Sequence, residues 1–379
     1  MLIANRYYRT MNIDKQAIIT ALRTVQDPNT GQDILTAKMV EDLEVKGNDI
    51  SFTIIVPSVK SPIKNQLTFA CIGAVNSVYP DAEVHVHAKA AGGDKTANTP
   101  NNPIPHIKNV IAVASGKGGV GKSTVAVNLA LSLQKMGLAV GILDLDLYGP
   151  SVPTMMGLAG QKPAIRDVQG KAKLIPIEQF GIPTMSVGYI IEPDQAVVLR
   201  GPRLGGIVKQ FFQDCLWPKL DCLILDLPPG TGDVQLTLIQ TVPITGVVMV
   251  TTPQQVAYAD ALKGMNMFRL ENINVPILGV VENMAWFTPK ELPDNKYYIF
   301  GEGAGKRLAK EANTVLLGQV PIVQGIREGG DEGKPAAWGD DDLTRKAFED
   351  IAKNMLRQMT IRNEMMQPTS IVKTSKDFG

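Results

Sequence analysis

From His106 onward the chain alternates nearly continuous apolar runs with stretches of helical spacing. The runs are "NVIAVAS", "AVGILDLD", "DCLILDL", "GVVMVTT", "PILGVVEN" and "NTVLLGQV". Strands buried on both faces of a parallel sheet read this way, whereas half-exposed strands alternate apolar with polar. Helical patterns occupy Lys122 to Met136, Gly205 to Gln213, Val234 to Gln240, Gln255 to Leu270 and Gly305 to Glu311. This alternation predicts an α/β domain, a doubly wound and mostly parallel sheet over residues 106–363. A last helix is expected from Asp341 to Arg362, followed by a polar tail, residues 364–379, that reads as disordered.

The first 90 residues carry a different pattern. "DKQAIITALRTVQ" has helical spacing and stops at "DPNTG". "AKMVEDLEVKGNDISFTIIV" reads as two strands joined across Gly47, Asn48 and Asp49. "SPIKNQLTFACIGAVNSVY" is a helix with Pro62 in its first turn, and "AEVHVHA" closes the unit as a strand. A small α+β domain, residues 1–90, is expected, joined to the larger one by a Gly/Pro/Asn-rich linker, residues 91–105.

A formal net charge of +1 on 379 residues gives no reason to expect a polyanion-binding surface, so nucleic acid is not an expected partner. No apolar run reaches the roughly 18 residues of a membrane span, and the N-terminus lacks the apolar core of a signal peptide. The expected location is cytoplasmic. Three cysteines, Cys71, Cys215 and Cys222, exclude a disulfide framework, and Cys71 and Cys222 lie in apolar runs as small core residues. His85 and His87 alternate on one strand face; without a third ligand nearby, a solvated face is expected there rather than a metal site.

The chemistry concentrates after the first of the long apolar runs. Gly116-x-x-x-x-Gly121-Lys122-Ser123 follows a predicted strand and opens a predicted helix, the context of a phosphate-binding loop. Its glycines allow a turn whose N–H groups point at phosphate, and the helix N-terminus adds partial positive charge. Lys122 is placed to bridge outer phosphates and Ser123 to ligand Mg²⁺. "LILDLPPGTGD" ends a buried strand with Asp226, placed to hold Mg²⁺ through water, and Gly230 and Gly232 let backbone approach the terminal phosphate. "GILDLDLYGPS" ends the neighbouring strand with Asp144 and Asp146; alternation puts both on one face for metal and attacking-water contacts, or either caps a turn. No Asn-Lys-x-Asp guanine reader occurs, so ATP is the expected nucleotide.

These motifs carry a resemblance. "GKGGVGKST" resembles the deviant phosphate loop of MinD/ParA-type ATPases. With "DLDLYGPS", "LRGP", "DLPPGTGD", "TTPQ", "VENM" and "IFGEGAG", the chain resembles the Mrp/ApbC iron–sulfur cluster carrier ATPases, and "VQDPNTGQDI" resembles the PaaD-like domains fused to them. The resemblance implies a nucleotide site built from Gly116, Lys117, Gly118, Gly119, Val120, Gly121, Lys122, Ser123 and Thr124, with Asn283 on adenine. It gives Lys117 a role across a homodimer, on the partner's phosphates, and Asp146 the attacking water. Lys117, Lys122, Asp146 and Asp226 are the expected catalytic set. The implied cargo is a 4Fe–4S cluster, and the implied partners are apoprotein clients and iron–sulfur assembly proteins.

One part of the pattern is missing. Such carriers hold a cluster with a Cys-x-x-Cys pair shortly after "ENM"; here Pro289 and Leu292 stand roughly where the cysteines would be, and Ser61 stands near a cysteine of many PaaD-like relatives. No iron–sulfur ligand is assignable. Trp286, Phe287, Tyr297 and Tyr298 make this loop aromatic, which fits either a docking surface or local packing. A positioning ATPase on membrane or DNA and an ATP-gated scaffold are the alternatives; the first would want a basic amphipathic C-terminal helix, which "NEMMQPTSIVKTSKDFG" does not offer.

Overall fold

The computed structural model describes residues 13–371 except 29, 57–61, 81, 91–101, 148, 191–200, 272, 290, 293, 340, 368 and 370. Most of the expected linker and residues 372–379 of the expected tail lie outside the described residues. The chain divides into two compact units, Met1–Asn98 and Thr99–Gly379.

The first unit has a three-stranded sheet, β1 (Val40–Lys46), β2 (Asp49–Val56) and β3 (Glu83–Ala90), in that order. β1 and β2 form an antiparallel hairpin; β2 and β3 are parallel, and the helix Pro62–Val78 makes the crossover between them. The helix Lys15–Leu22 is capped by Asp14, whose carboxylate accepts the Gln16 N–H at 3.0 Å. Ile18, Leu22, Ile50, Phe52, Leu67 and Cys71 form its core. His85 and His87 both face solvent.

The second unit is an eight-stranded sheet in the order β13-β12-β11-β4-β10-β5-β9-β8. Its strands are β4 (Ile107–Ser115), β5 (Val140–Asp144), β8 (Ile177–Gln179), β9 (Ile182–Ser186), β10 (Leu220–Asp226), β11 (Gly246–Thr251), β12 (Ile277–Glu282) and β13 (Leu316–Gln319). Every pairing is parallel except β8 with β9. β6 (Ile165–Val168) and β7 (Lys171–Leu174) form a separate antiparallel hairpin. The helix Lys122–Lys135 is buried along most of its length because it lies between the sheet and the helix Asp342–Met365. No helix among the described residues is long and apolar enough to cross a membrane.

Parallel strands present all their carboxyl ends at one edge, so Ser115, Asp144, Asp226, Thr251 and Glu282 terminate side by side. The long apolar runs expected as strands are strands. The segment from Ser151 to Ser186 held elements that the pattern did not announce: the helix Val152–Met155, the hairpin, β8 and β9. The helix Gln324–Asp331 was likewise unannounced, and the last helix runs to Met365 rather than Arg362.

Candidate nucleotide site

The loop between β4 and the helix Lys122–Lys135 owes its glycines to packing as well as to turn geometry. A Cβ on Gly116 would sit 2.0 Å from the carbonyl carbon of Asp260, so the loop's first residue is wedged against the backbone of the helix Gln255–Arg269. Gly121 takes φ 80° as the residue preceding the helix. A Cβ there would lie 2.1 Å from Nδ2 of Asn283. The Ser115 hydroxyl donates to the Lys117 carbonyl at 3.0 Å, and the Asn283 amide donates to the Val120 carbonyl at 2.9 Å. Gly118, Gly119, Ser123 and Thr124 complete the loop and first helical turn, and all four line the cleft described below.

Beneath the loop lies a buried charge cluster. Lys122 is 6% exposed; its Nζ lies 2.6 Å from Asp226 Oδ1, 3.3 Å from Asp146 Oδ2 and 3.3 Å from the Ser123 hydroxyl. Burial works against the lysine's charge, but the carboxylates of Asp226, Asp146 and Asp144 outweigh it and hold its pKa above the ordinary value. Burial raises the Asp226 carboxyl, an effect that Lys122 only partly offsets. Asp226 Oδ2 is buried with no hydrogen-bond partner.

The two acids after β5 differ. Asp146 lines the cleft, but Asp144 has no exposed surface. Asp144 Oδ1 accepts the Asp146 N–H at 3.0 Å and Oδ2 accepts the Ser186 hydroxyl at 2.9 Å, so it caps the turn that carries Asp146. Burial and the nearby Asp226 push its carboxyl up to about 8. β5 ends at Asp144, so Asp146 lies beyond the strand, yet both carboxylates act on Lys122.

Above this cluster opens a cleft of about 370 Å³. Gly149, Ser151, Met155 and Pro229 line it alongside the loop, and none of them belonged to the expected set. Lys117 also lines it, with Nζ 3.3 Å from Oε1 of Gln254, just before the helix Gln255–Arg269. Gln235 braces the stretch after Asp226, donating to the Pro228 and Gly230 carbonyls at 2.8 and 3.0 Å. Gln235 lies in an expected helix and Gln254 ends the "TTPQ" motif, but the contacts of both appear only in the fold.

The aromatic loop after β12 leaves from Glu282 and Asn283. The Glu282 carboxylate is buried, accepts the Gly305 N–H at 2.8 Å and is bonded by the Gln319 amide. Lys296 stacks on Trp286, and Phe287 pairs through its backbone with Tyr297. Tyr297, Tyr298 and Ile299 are exposed. The three cysteines lie elsewhere, free and buried, and burial pushes each thiol up to about 12. No group of three or more His, Cys, Asp or Glu among the described residues could hold a metal ion.

Known proteins resemble this chain. The family profile described as ParA, NUBPL iron-transfer P-loop NTPase, matches residues 106–356, and that of an iron–sulfur cluster assembly protein matches residues 15–86. The iron–sulfur cluster carrier protein of Synechocystis sp. is 42% identical over 346 residues, 91% of this chain and 98% of its own. The iron–sulfur cluster transfer protein NUBPL of Dictyostelium discoideum is 41% identical over 305 residues, 80% of this chain and 92% of its own. Among solved structures, a nucleotide-binding protein in complex with ADP from Archaeoglobus fulgidus superposes with a TM-score of 0.55 at 36% identity. That match covers 63% of this chain and 92% of the other.

Proposed function

This chain belongs to the NUBPL-type family of iron-transfer P-loop NTPases, and on that premise we propose that it is a cytoplasmic, ATP-hydrolysing carrier in iron–sulfur cluster delivery. The observation that carries the nucleotide half is the lysine-bearing loop set over buried Asp226 and Asp146, with one Asp226 oxygen lacking a partner. That spare oxygen, beside the Ser123 hydroxyl, fits a hydrated Mg²⁺ held with the nucleotide. Bound there, Mg²⁺ would neutralise charge on the outer phosphates.

The protein's own groups do the rest. Lys122 exchanges its carboxylate partners for phosphate oxygens when nucleotide binds, which frees Asp146 to orient the attacking water. Asp144 keeps Asp146 in place through the backbone N–H. Lys117 rests on a neutral amide, a weak tether at 3.3 Å, and in a homodimer it reaches the partner's phosphates, where charge develops during transfer.

The cluster is the carrier's cargo, a substrate and not a resident cofactor. A 4Fe–4S cluster needs thiolate ligands, and Cys71, Cys215 and Cys222 are buried within the two hydrophobic cores. Delivery to apoprotein clients therefore depends on ligands supplied by iron–sulfur assembly proteins or by the clients themselves. Steady-state ATP turnover tests the motor: turnover per subunit should rise with protein concentration. Lys117→Ala should slow hydrolysis by orders of magnitude while leaving nucleotide affinity nearly intact, because the charge acts in the transition state. Mixing Lys117→Ala with Asp146→Ala subunits should restore part of the activity; concentration-independent turnover without complementation would refute the dimeric mechanism.

A further inference from the structure

Asn283 stands out because it is nearly buried, at 6% exposure, yet directs its amide at a loop rather than into the protein core. Its backbone N–H donates to the Thr251 carbonyl at 2.8 Å, which ties it to the end of β11. The residue before it, Glu282, is held by Gly305 and Gln319. The side chain thus projects from an anchored support. A carbonyl only accepts, so the group facing Val120 is the NH₂ donor.

The consequence lies one atom further along. In a trans peptide the carbonyl of one residue and the N–H of the next point in opposite directions. Drawing the Val120 carbonyl toward Asn283 therefore turns the Gly121 N–H the other way, and Gly121 lines the cleft. Gly121 must be glycine for this contact to exist, since a Cβ would collide with Nδ2 at 2.1 Å. The two residues are complementary: glycine makes room for the amide, and the amide fixes the glycine's peptide plane.

We infer that Asn283 is a positioning residue for phosphate, holding the Val120–Gly121 peptide with its N–H presented to the nucleotide's phosphate chain. This deepens the nucleotide-binding reading and rests on it. Asn283 acts through the loop and touches no phosphate itself. A residue that instead read the base would give a different signature.

The test compares ligands with and without a base. Binding of MgATP, MgGTP and magnesium tripolyphosphate is measured by calorimetry on the full chain, on Asn283→Ala and on Asn283→Leu, which keeps a similar volume, adds no charge and removes the donor. Losing one charge-assisted arrangement should weaken all three ligands by a common factor of about tenfold. The ratio of ATP to tripolyphosphate affinity should then stay within about twofold of the unaltered protein's. If Asn283→Ala does not fold, the same ratio read on Asn283→Leu decides the matter. A loss confined to ATP would make Asn283 an adenine reader, and no loss with any ligand would leave it without a positioning role; either overturns the inference. An unaltered protein that bound ATP but not tripolyphosphate would also overturn it, since affinity would then reside in the base. An unaltered protein that bound none of the three would overturn the nucleotide reading itself.

Discussion

Asp144→Asn should flatten the pH dependence of stability in a window where few other groups act. Asp144 has no exposed surface, and burial with the neighbouring Asp226 pushes its carboxyl up to about 8, against 3.8 for the ordinary group. The folded protein therefore binds this proton more tightly than the unfolded chain does. The stabilisation is complete below the ordinary carboxylate pKa, fades as pH rises, and is gone above about 8. Each pH unit within the window costs roughly 1–2 kcal/mol, or about 4 kcal/mol from pH 5 to pH 8. For a domain of this size that is a Tm change on the order of 10 °C.

Asparagine copies the protonated acid at every pH. Its oxygen can accept the Asp146 N–H, and its NH₂ can donate to the Ser186 hydroxyl oxygen, which already accepts the Gly188 N–H at 3.0 Å. Asp221 is held below the ordinary range by Lys108, so its contribution is lost only as pH falls through the carboxylate range, outside this window. Asp226 is raised like Asp144 and the two carboxyls titrate as a pair, so the difference between the two proteins reports Asp144 together with its coupling to Asp226. Nucleotide-free thermal melts at pH 5, 6, 7 and 8 give the answer. The unaltered protein should lose about 10 °C more than the variant across that range. Parallel curves would refute the claim that a buried, neutral Asp144 underlies the turn.

Three further outcomes follow from the geometry. Gly116→Ala should lower stability by about 1–3 kcal/mol or more and weaken nucleotide binding, because the new Cβ meets Asp260 backbone at 2.0 Å. Gly118→Ala meets only Pro229 Cγ at 3.9 Å, so its melt should match the unaltered protein's; equal losses in the two variants would show that the wedge at Gly116 is not the cause. Asp226→Asn should raise the Mg²⁺ needed for half-maximal turnover by about tenfold or more, and an unchanged titration would remove Asp226 from the metal's surroundings. Replacing Cys71, Cys215 and Cys222 by serine should leave reconstituted iron and sulfide content unchanged at a cost of about 1–3 kcal/mol per site, whereas Pro289→Cys with Leu292→Cys should increase it. Loss of a stoichiometric cluster on removing one native cysteine would place the cargo site elsewhere.

What the sequence could reveal depended on how much each element buries. β4, β10 and β11 are covered on both faces, and their unbroken apolar runs announced them. β6 to β9 are three to five residues long, and β6 and β7 are largely exposed, so neither length nor alternation rose above the loop around them. The helix Gln324–Asp331 contains Gly325, Gly329 and Gly330 and buries no residue, which removes both propensity and pattern. The loop motif disclosed Lys122 and Ser123, whereas the contacts of Gln235, Gln254 and Ser151 depend on the fold. Alternation brought Asp144 and Asp146 to the same lysine, but which of them caps the turn and which lines the cleft shows only in the fold.

The loop that lacks cysteines is nevertheless joined to the nucleotide cleft. Glu282 accepts the N–H of Gly305 beyond the loop's far end, and the adjacent Asn283 bonds the Val120 carbonyl within the phosphate loop. Met284, the first residue after this pair, takes a left-handed φ of 55° and stands 3.9 Å from where a Gly121 Cβ would be. A non-glycine residue is held there only when its surroundings over-determine it. None of these ties involves a thiol. Replacing a cysteine pair by Pro289 and Leu292 would therefore remove the cluster's anchor without cutting the connection between nucleotide and loop. The same segment carries Trp286 and the exposed Tyr297 and Tyr298, an aromatic surface of the kind enriched at protein interfaces.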